Sequence, residues 1–289
     1  MGKILVIADL EDDCCATPRG LEFASRLGYD VDVVAFTYVP LTSLNASGAE
    51  KSRIKKHLME DREEAVRGRI DKYREPGQAV GLKVVWEKSI ERWVSIACRD
   101  GAYEVVAKTG NRSETLVHTS TDWQLLRECP VPVLLIARKR WHRTKPVLAS
   151  LDLSTSLKAK QALNDKVLGR AKRLAEALGV DLKVITAIEI PTLLADLDLV
   201  DPGTYVRNAK KDMQPQIRKL AAAHGLPESA FHCKRGPVEK VIASQAAKVR
   251  AQVVVMGTVA RKGVKARLLG NTAERVLRHM KTDVLAIKP

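Results

Sequence analysis

Lys3-Ile-Leu-Val-Ile-Ala-Asp9-Leu returns 143 positions later as Val147-Leu-Ala-Ser-Leu-Asp152-Leu. Each copy is an apolar run that ends in Asp followed by Leu, the pattern of a buried strand whose last residue emerges at a sheet edge. A second pair follows in the same order. Arg26-Leu-Gly28-Tyr-Asp30-Val-Asp-Val-Val34 parallels Ala177-Leu-Gly179-Val-Asp181-Leu-Lys-Val-Ile185. In both, a glycine stops a helix and a β-branched run opens the next strand. Ala102-Tyr-Glu-Val-Val-Ala107 then matches Ala251-Gln-Val-Val-Val-Met256, an alignment that sets Lys108 against Gly257. Leu125-Leu-Arg127 through Val133 matches Val276-Leu-Arg278 through Val284. Four matches in one order indicate an internal duplication.

Each copy reads as strand, helix, strand, long helix, strand, helix, strand, helix, strand. Alternating strands and helices predict an α/β fold with a parallel sheet, helices on both faces and right-handed crossovers. The domains are placed at 1–143 and 144–289, with the basic stretch Lys139 to Lys145 as an exposed linker in which Trp141 packs locally. In the second copy helices are expected at about Ser156 to Leu178, Thr204 to His224, Val238 to Arg250 and Asn271 to His279.

The 289 residues suit two domains of ordinary size, and 45% apolar with 29% charged residues is the balance of a globular protein. No apolar run reaches the length of a membrane span, and the start of the chain lacks the apolar stretch of a signal peptide. Five cysteines without paired metal-ligand spacing point to a reducing compartment, the cytoplasm, and to no metal site. Cys14-Cys15 reads as two small residues near a helix start, and His232-Cys233 as half a metal site without its other half. The net charge of +15 reads first as a solvated basic surface, and otherwise as a loose attraction for polyanions (nucleic acid, acidic membranes or nucleotide phosphates) that does not read sequence.

Ligands of such sheets bind beyond the C-terminal strand ends. There the chain reads Met256-Gly257-Thr258-Val-Ala260-Arg261-Lys262, then Lys265 and Arg267, and Leu269-Gly270-Asn271-Thr272-Ala273-Glu274. A strand enters a loop and a helix starts near Asn271, whose first amides and dipole favour an anion. Asn271 or Thr272 is expected to cap that helix. Asp152, at the end of the first strand of this copy, is expected to cap a helix or to contact the ligand. In the first copy Lys108 stands where the second has Gly257, and Thr119-Ser120 where it has Gly270-Asn271. A long side chain at Lys108 is expected to keep phosphate out. His224 is expected to end a helix beside its dipole.

These segments resemble the ATP-binding segment of universal stress proteins, whose pattern is Gly, two residues, Gly, nine residues, then Gly followed by Ser or Thr. The chain keeps Gly257 and Gly270 at that spacing and departs at Ala260 and Asn271; Gly236-Pro237 before a helix also fits. Thr121-Asp122-Trp123 through Cys129-Pro130 resembles the tandem members of E type. The resemblance spans essentially the whole chain. It implies two tandem domains, each a five-stranded parallel sheet of the adenine nucleotide alpha hydrolase-like kind. The two would pack as an intramolecular pseudo-dimer through the terminal strands Val131 to Ala137 and Val284 to Ile287, with a homodimer also open. It further implies a non-enzymatic stress-response binding protein. Its ligand would be ATP or another phosphate-bearing, nucleotide-containing molecule, held by Asp152, Met256, Gly257, Ala260, Gly270, Asn271 and Thr272. A weak nucleotide hydrolase and a nucleic-acid-binding protein remain alternatives. The loop Leu193 to Asp201 is read either as a wall of the site or as a plain surface loop.

Overall fold

The computed structural model describes residues 2–10, 15–99, 101–110, 121–138, 141–191, 193, 200–258 and 270–289. The chain divides into two compact units, Met1–Arg138 and Lys139–Pro289. The segment read as a linker is tied to the second of these. Gln252 Nε2 donates to the carbonyls of Arg143 (3.2 Å) and Lys145 (2.6 Å), and the Arg143 guanidinium lies 5.1 Å from the Trp141 ring centre.

In the first unit the elements are β1 (Lys3–Ala8), α1 (Ala16–Leu27), β2 (Asp30–Thr37), α2 (Gly48–Tyr73), β3 (Val80–Trp86), α3 (Ile90–Ala97), β4 (Val105–Thr109), α4 (Thr121–Glu128) and β5 (Val133–Ile136). The strands are parallel in the order β3-β2-β1-β4-β5. The second unit repeats this with β6 (Val147–Ser150), α5 (Lys158–Leu178), β7 (Leu182–Ile188), α6 (Pro202–His224), β8 (Phe231–Arg235), α7 (Val238–Lys248), β9 (Val253–Gly257), α8 (Asn271–His279) and β10 (Asp283–Ile287). Its order is β8-β7-β6-β9-β10, again parallel. Both sheets therefore reverse their winding beside their first strand. The crevice of each opens between the C-terminal ends of β1 and β4, or of β6 and β9.

The inner strands are largely apolar on both faces because both are covered. Consecutive residues of β4 show it. Thr109 accepts a hydrogen bond from the Ala16 amide of α1 (2.9 Å), whereas Lys108 turns to the opposite face and pairs with Asp122 of α4. Close helix-to-strand approach is set by small residues: a Cβ on Gly20 of α1 would lie 2.5 Å from Val6 Cγ2 of β1.

Local signals fix the helix ends. Gly28, Gly179 and Gly225 follow α1, α5 and α6 with φ of 64°, 64° and 61°, a left-handed geometry that glycine adopts without a Cβ clash. Ser47 and Glu50 form a capping box on α2. α6 begins two residues earlier than expected because Asp201 accepts from the amides of Thr204 (2.7 Å) and Gly203 (3.4 Å), with Pro202 at the first helical position. α7 stops at Lys248, short of the expected Arg250, which takes up φ 52° and turns the chain into β9. α5 starts at Lys158 in place of Ser156. Among the described residues no helix is long and apolar enough to cross a membrane.

Glycine positions yield opposite stability effects. Gly179→Ala, at positive φ, is expected to cost about 1 kcal/mol. Gly68→Ala, in the open interior of α2, is expected to stabilise by about 0.5–1 kcal/mol. Urea melts followed by circular dichroism check both signs.

Candidate functional site

The crevice of the second unit is built on adjacent strand ends. Ser150 of β6 is in register with Met256 of β9, so Asp152 and Gly257 both lie at the carboxyl rim of the sheet, one residue out of register. The backbone of Asp152 is clamped. Asn164 of α5 donates to its carbonyl (2.7 Å) and accepts from its amide (3.1 Å), and the Leu153 amide donates to Thr186 Oγ1 of β7 (3.4 Å). Asn164 and Thr186 are buried. The Asp152 carboxylate, by contrast, faces solvent, where it accepts from Ser154 Oγ (2.8 Å) and Lys160 Nζ (3.1 Å). It does not cap α5, whose N-cap is Leu157, five residues on and without a side-chain cap bond.

The glycine of β9 has a packing role. A Cβ on Gly257 would lie 2.7 Å from Leu163 Cδ2 of α5, so the missing side chain admits this leucine against the strand. Gly257→Lys would therefore disturb the core as well as any ligand. Met256 is buried. Thr258 is turned inward, its amide (2.7 Å) and hydroxyl (3.2 Å) both donating to the Ile287 carbonyl.

Ala260 and the cations Arg261, Lys262, Lys265 and Arg267 lie outside the described residues, as do Thr119-Ser120, Cys14 and most of the Leu193 to Asp201 loop. Gly270 is the N-cap of α8. Asn271 and Thr272 are its first two residues, both exposed, and neither caps it through a side chain as had been expected. The geometry explains this: the side chain that reaches the third amide belongs to the N-cap position, and glycine has none. Among the described residues no side chain caps α8, whose first amides lie at the positive end of the helix dipole.

The first unit treats the same rim differently. Register sets Ile7 against Lys108 and Ser150 against Met256, so Lys108 is the counterpart of Met256, and Thr109 of Gly257. The Gly110 amide donates to Ile136 O (2.8 Å) as Thr258 does to Ile287 O, which confirms the alignment. The sequence alignment is one residue out here, since two short strands that both open on valine runs slide past one another without loss of apolar match. Lys108 consequently does not stand across the crevice. It is buried beneath α4, 2.8 Å from Asp122, and donates to Thr109 O (2.8 Å).

Arginines reach the strand ends instead. Arg62 of α2 donates to the carbonyls of Ala8 (3.0 Å) and Asp9 (2.7 Å), Arg69 donates to Asp9 O (3.3 Å), and Arg19 of α1 donates to Ala137 O (2.8 Å). Arg62 is buried in the series Arg62, Val66, Ile70, whose spacing recurs in α6 as Met213, Ile217, Ala221. The rim of the first unit is thus satisfied by its own cations. Asn164, Leu163 and these arginines were missed from sequence; polar residues inside an apolar helical stripe were the available signal.

His224 ends α6, as expected, and its Nε2 lies 2.8 Å from Asp165 Oδ1 of α5. Burial, then the charges of Lys183, Lys234 and Lys248, hold the His232 imidazole below its ordinary pKa. Among the described residues no three His, Cys, Asp or Glu side chains are grouped to hold a metal.

A winding reversal of this kind, with an acidic residue just past the first strand and a helix start following the fourth, defines a doubly wound α/β module with a crevice at its switch point. The Universal stress protein family matches residues 160–288, which lie within the second unit. Over 99% of its length the chain is 28% identical to Universal stress protein E of Salmonella typhi and to that of Escherichia coli strain K12, covering 93% of each. A solved putative universal stress protein from Pseudomonas aeruginosa is 25% identical and superposes with a TM-score of 0.70 over 99% of this chain and 93% of that one. Over almost its whole length, then, the chain is similar to universal stress proteins of the E type.

Lys108 and Asp122 in the first unit replace the buried apolar pair Met256 and Ala273 of the second. Lys108→Met alone is expected to destabilise more than the double replacement does, because it removes a cation paired with a buried carboxylate. Lys108→Met with Asp122→Ala should return to within about 1 kcal/mol of the parent, since it restores an apolar pair of the kind the second unit already packs. A urea-denaturation double-mutant cycle checks the pair.

Proposed function

We propose that the chain is a stress-response binding protein that works by holding a phosphate-bearing ligand, ATP or another nucleotide, in its second unit and not by turning it over. One observation carries this reading. The two units share a fold, yet the rim of the first is bonded by Arg62, Arg69 and Arg19, while the rim of the second keeps an exposed carboxylate and a helix start without a side-chain cap. An anion at the α8 start would receive backbone amides and the favourable end of the dipole. Asp152 would accept a hydroxyl of the same ligand, as its carboxylate already does from Ser154.

Binding without turnover is supported by the setting of Asp152. It is exposed and engaged with Ser154 and Lys160, whereas a general base works best desolvated and within reach of a nucleophile. The stress-related role rests on the names of the relatives. A cytoplasmic location belongs to the same proposal.

The site is tested without disturbing Gly257. Asn271→Asp with Thr272→Glu places carboxylates at the start of α8, where they favour the helix by about 0.3–1 kcal/mol each. They should nevertheless weaken ATP binding at least tenfold in isothermal titration calorimetry, with the thermal midpoint unchanged or raised. No heat from ATP with the parent chain, or equal affinity in the variant, would remove the proposal. Steady phosphate release above background would favour a hydrolase.

A further inference from the structure

The net charge of +15 is not shared between the units. Residues 1–138 hold 20 Lys and Arg against 21 Asp and Glu, and residues 139–289 hold 29 against 13, or −1 and +16. Part of that excess is gathered around one edge. β8 is the outer strand of the second sheet, and its side chains alternate between faces. On one face His232 stands among Lys234 of the same strand, Lys183 of β7 and Lys248, the last residue of α7. On the other face Cys233 lies in the field of Lys210 of α6. The helices α6 and α7 therefore cover opposite faces and bring cations to both flanks of β8.

Along α6 the exposed cations Lys210, Lys211, Arg218 and Lys219 span nine residue steps, about 14 Å at helical rise. Asp212 is the acid within that stretch, and Glu228, before β8, is bonded to Gln214. Among the described residues no ion pair engages these four side chains, nor Lys183, Lys234 or Lys248. Unneutralised like charges at such density attract a polyanion.

We infer that the rim formed by α6, the edge of β8 and the end of α7 docks nucleic acid through its phosphate backbone, without reading base sequence. A row of about 14 Å matches several phosphates of one strand, which follow at about 3.4 Å along a duplex axis. Cations on two flanks of a narrow edge suit a polymer lying along it better than a flat bilayer. The exposed large apolar side chains described in this unit, Leu157 and Leu193, belong to neither helix nor to β8, and so the rim lacks the apolar groups that anchor an interfacial helix in a membrane. The surface is distinct from the crevice between β6 and β9, and stands or falls apart from the nucleotide proposal.

Fluorescence anisotropy of a labelled 20-base-pair duplex with the full chain tests the inference. Binding is expected at 50 mM salt. With about five phosphates neutralised, Kd should rise about 500-fold by 200 mM. Lys210→Glu/Lys211→Glu/Arg218→Glu should raise Kd at least tenfold at 50 mM, and the three Gln substitutions should do so more mildly. The matched reversal Lys51→Glu/Arg53→Glu/Lys56→Glu on α2 should stay within threefold of the parent. Saturating ATP should leave duplex affinity unchanged. Absence of duplex binding at 50 mM, equal loss from both reversals, displacement by ATP, or capture by phosphatidylserine vesicles with no capture of the duplex would each overturn it.

Discussion

A parallel sheet leaves its strand ends and its outermost edge uncovered, because crossover helices must lie over both faces. That constraint organises each unit. Leu163 of α5 closes on Gly257 from one face and Asp122 of α4 meets Lys108 on the other, so chemistry is confined to the rim where the strands stop. The clamp of Asn164 on the backbone of Asp152 then decides what that rim presents: with the chain fixed, the carboxylate is directed outward.

Duplication gave two such rims, and the difference between them is electrostatic. In the first unit the last carbonyls of β1 and β4, and that of Ala137 just past β5, accept from Arg62, Lys108 and Arg19, bonds to charged donors that are stronger than neutral ones. The buried pair of Lys108 and Asp122 adds specificity to that closure at a desolvation cost that an apolar pair avoids. In the second unit Met213, Met256 and Ala273 occupy the matching buried places, and the cations are deployed on the outside. One fold thus supports a self-satisfied half and a half whose charge faces solvent.

The balance between +16 and −1 bears on both proposals without joining them. A nucleotide at the α8 start and a polymer along β8 would both draw on the same long-range field, but they use different groups: backbone amides in one case, lysine and arginine side chains in the other. Salt affects the second far more steeply than the first.

The sequence by itself determined the repeat, the order of elements, the parallel class of sheet and the glycine helix ends, since each depends on neighbours within a few positions. It also placed Asp152 and Asn271 at strand and helix ends. Tertiary structure alone decided that Thr109, and not Lys108, stands opposite Gly257, because apolar strands carry no mark of register. It alone revealed Leu163 as the reason for Gly257, and Arg62 as the closure of the first rim. These partners lie 94 and 54 residues from what they touch. Which side chain fills a given space follows from the packing of whole elements, and no local pattern records it.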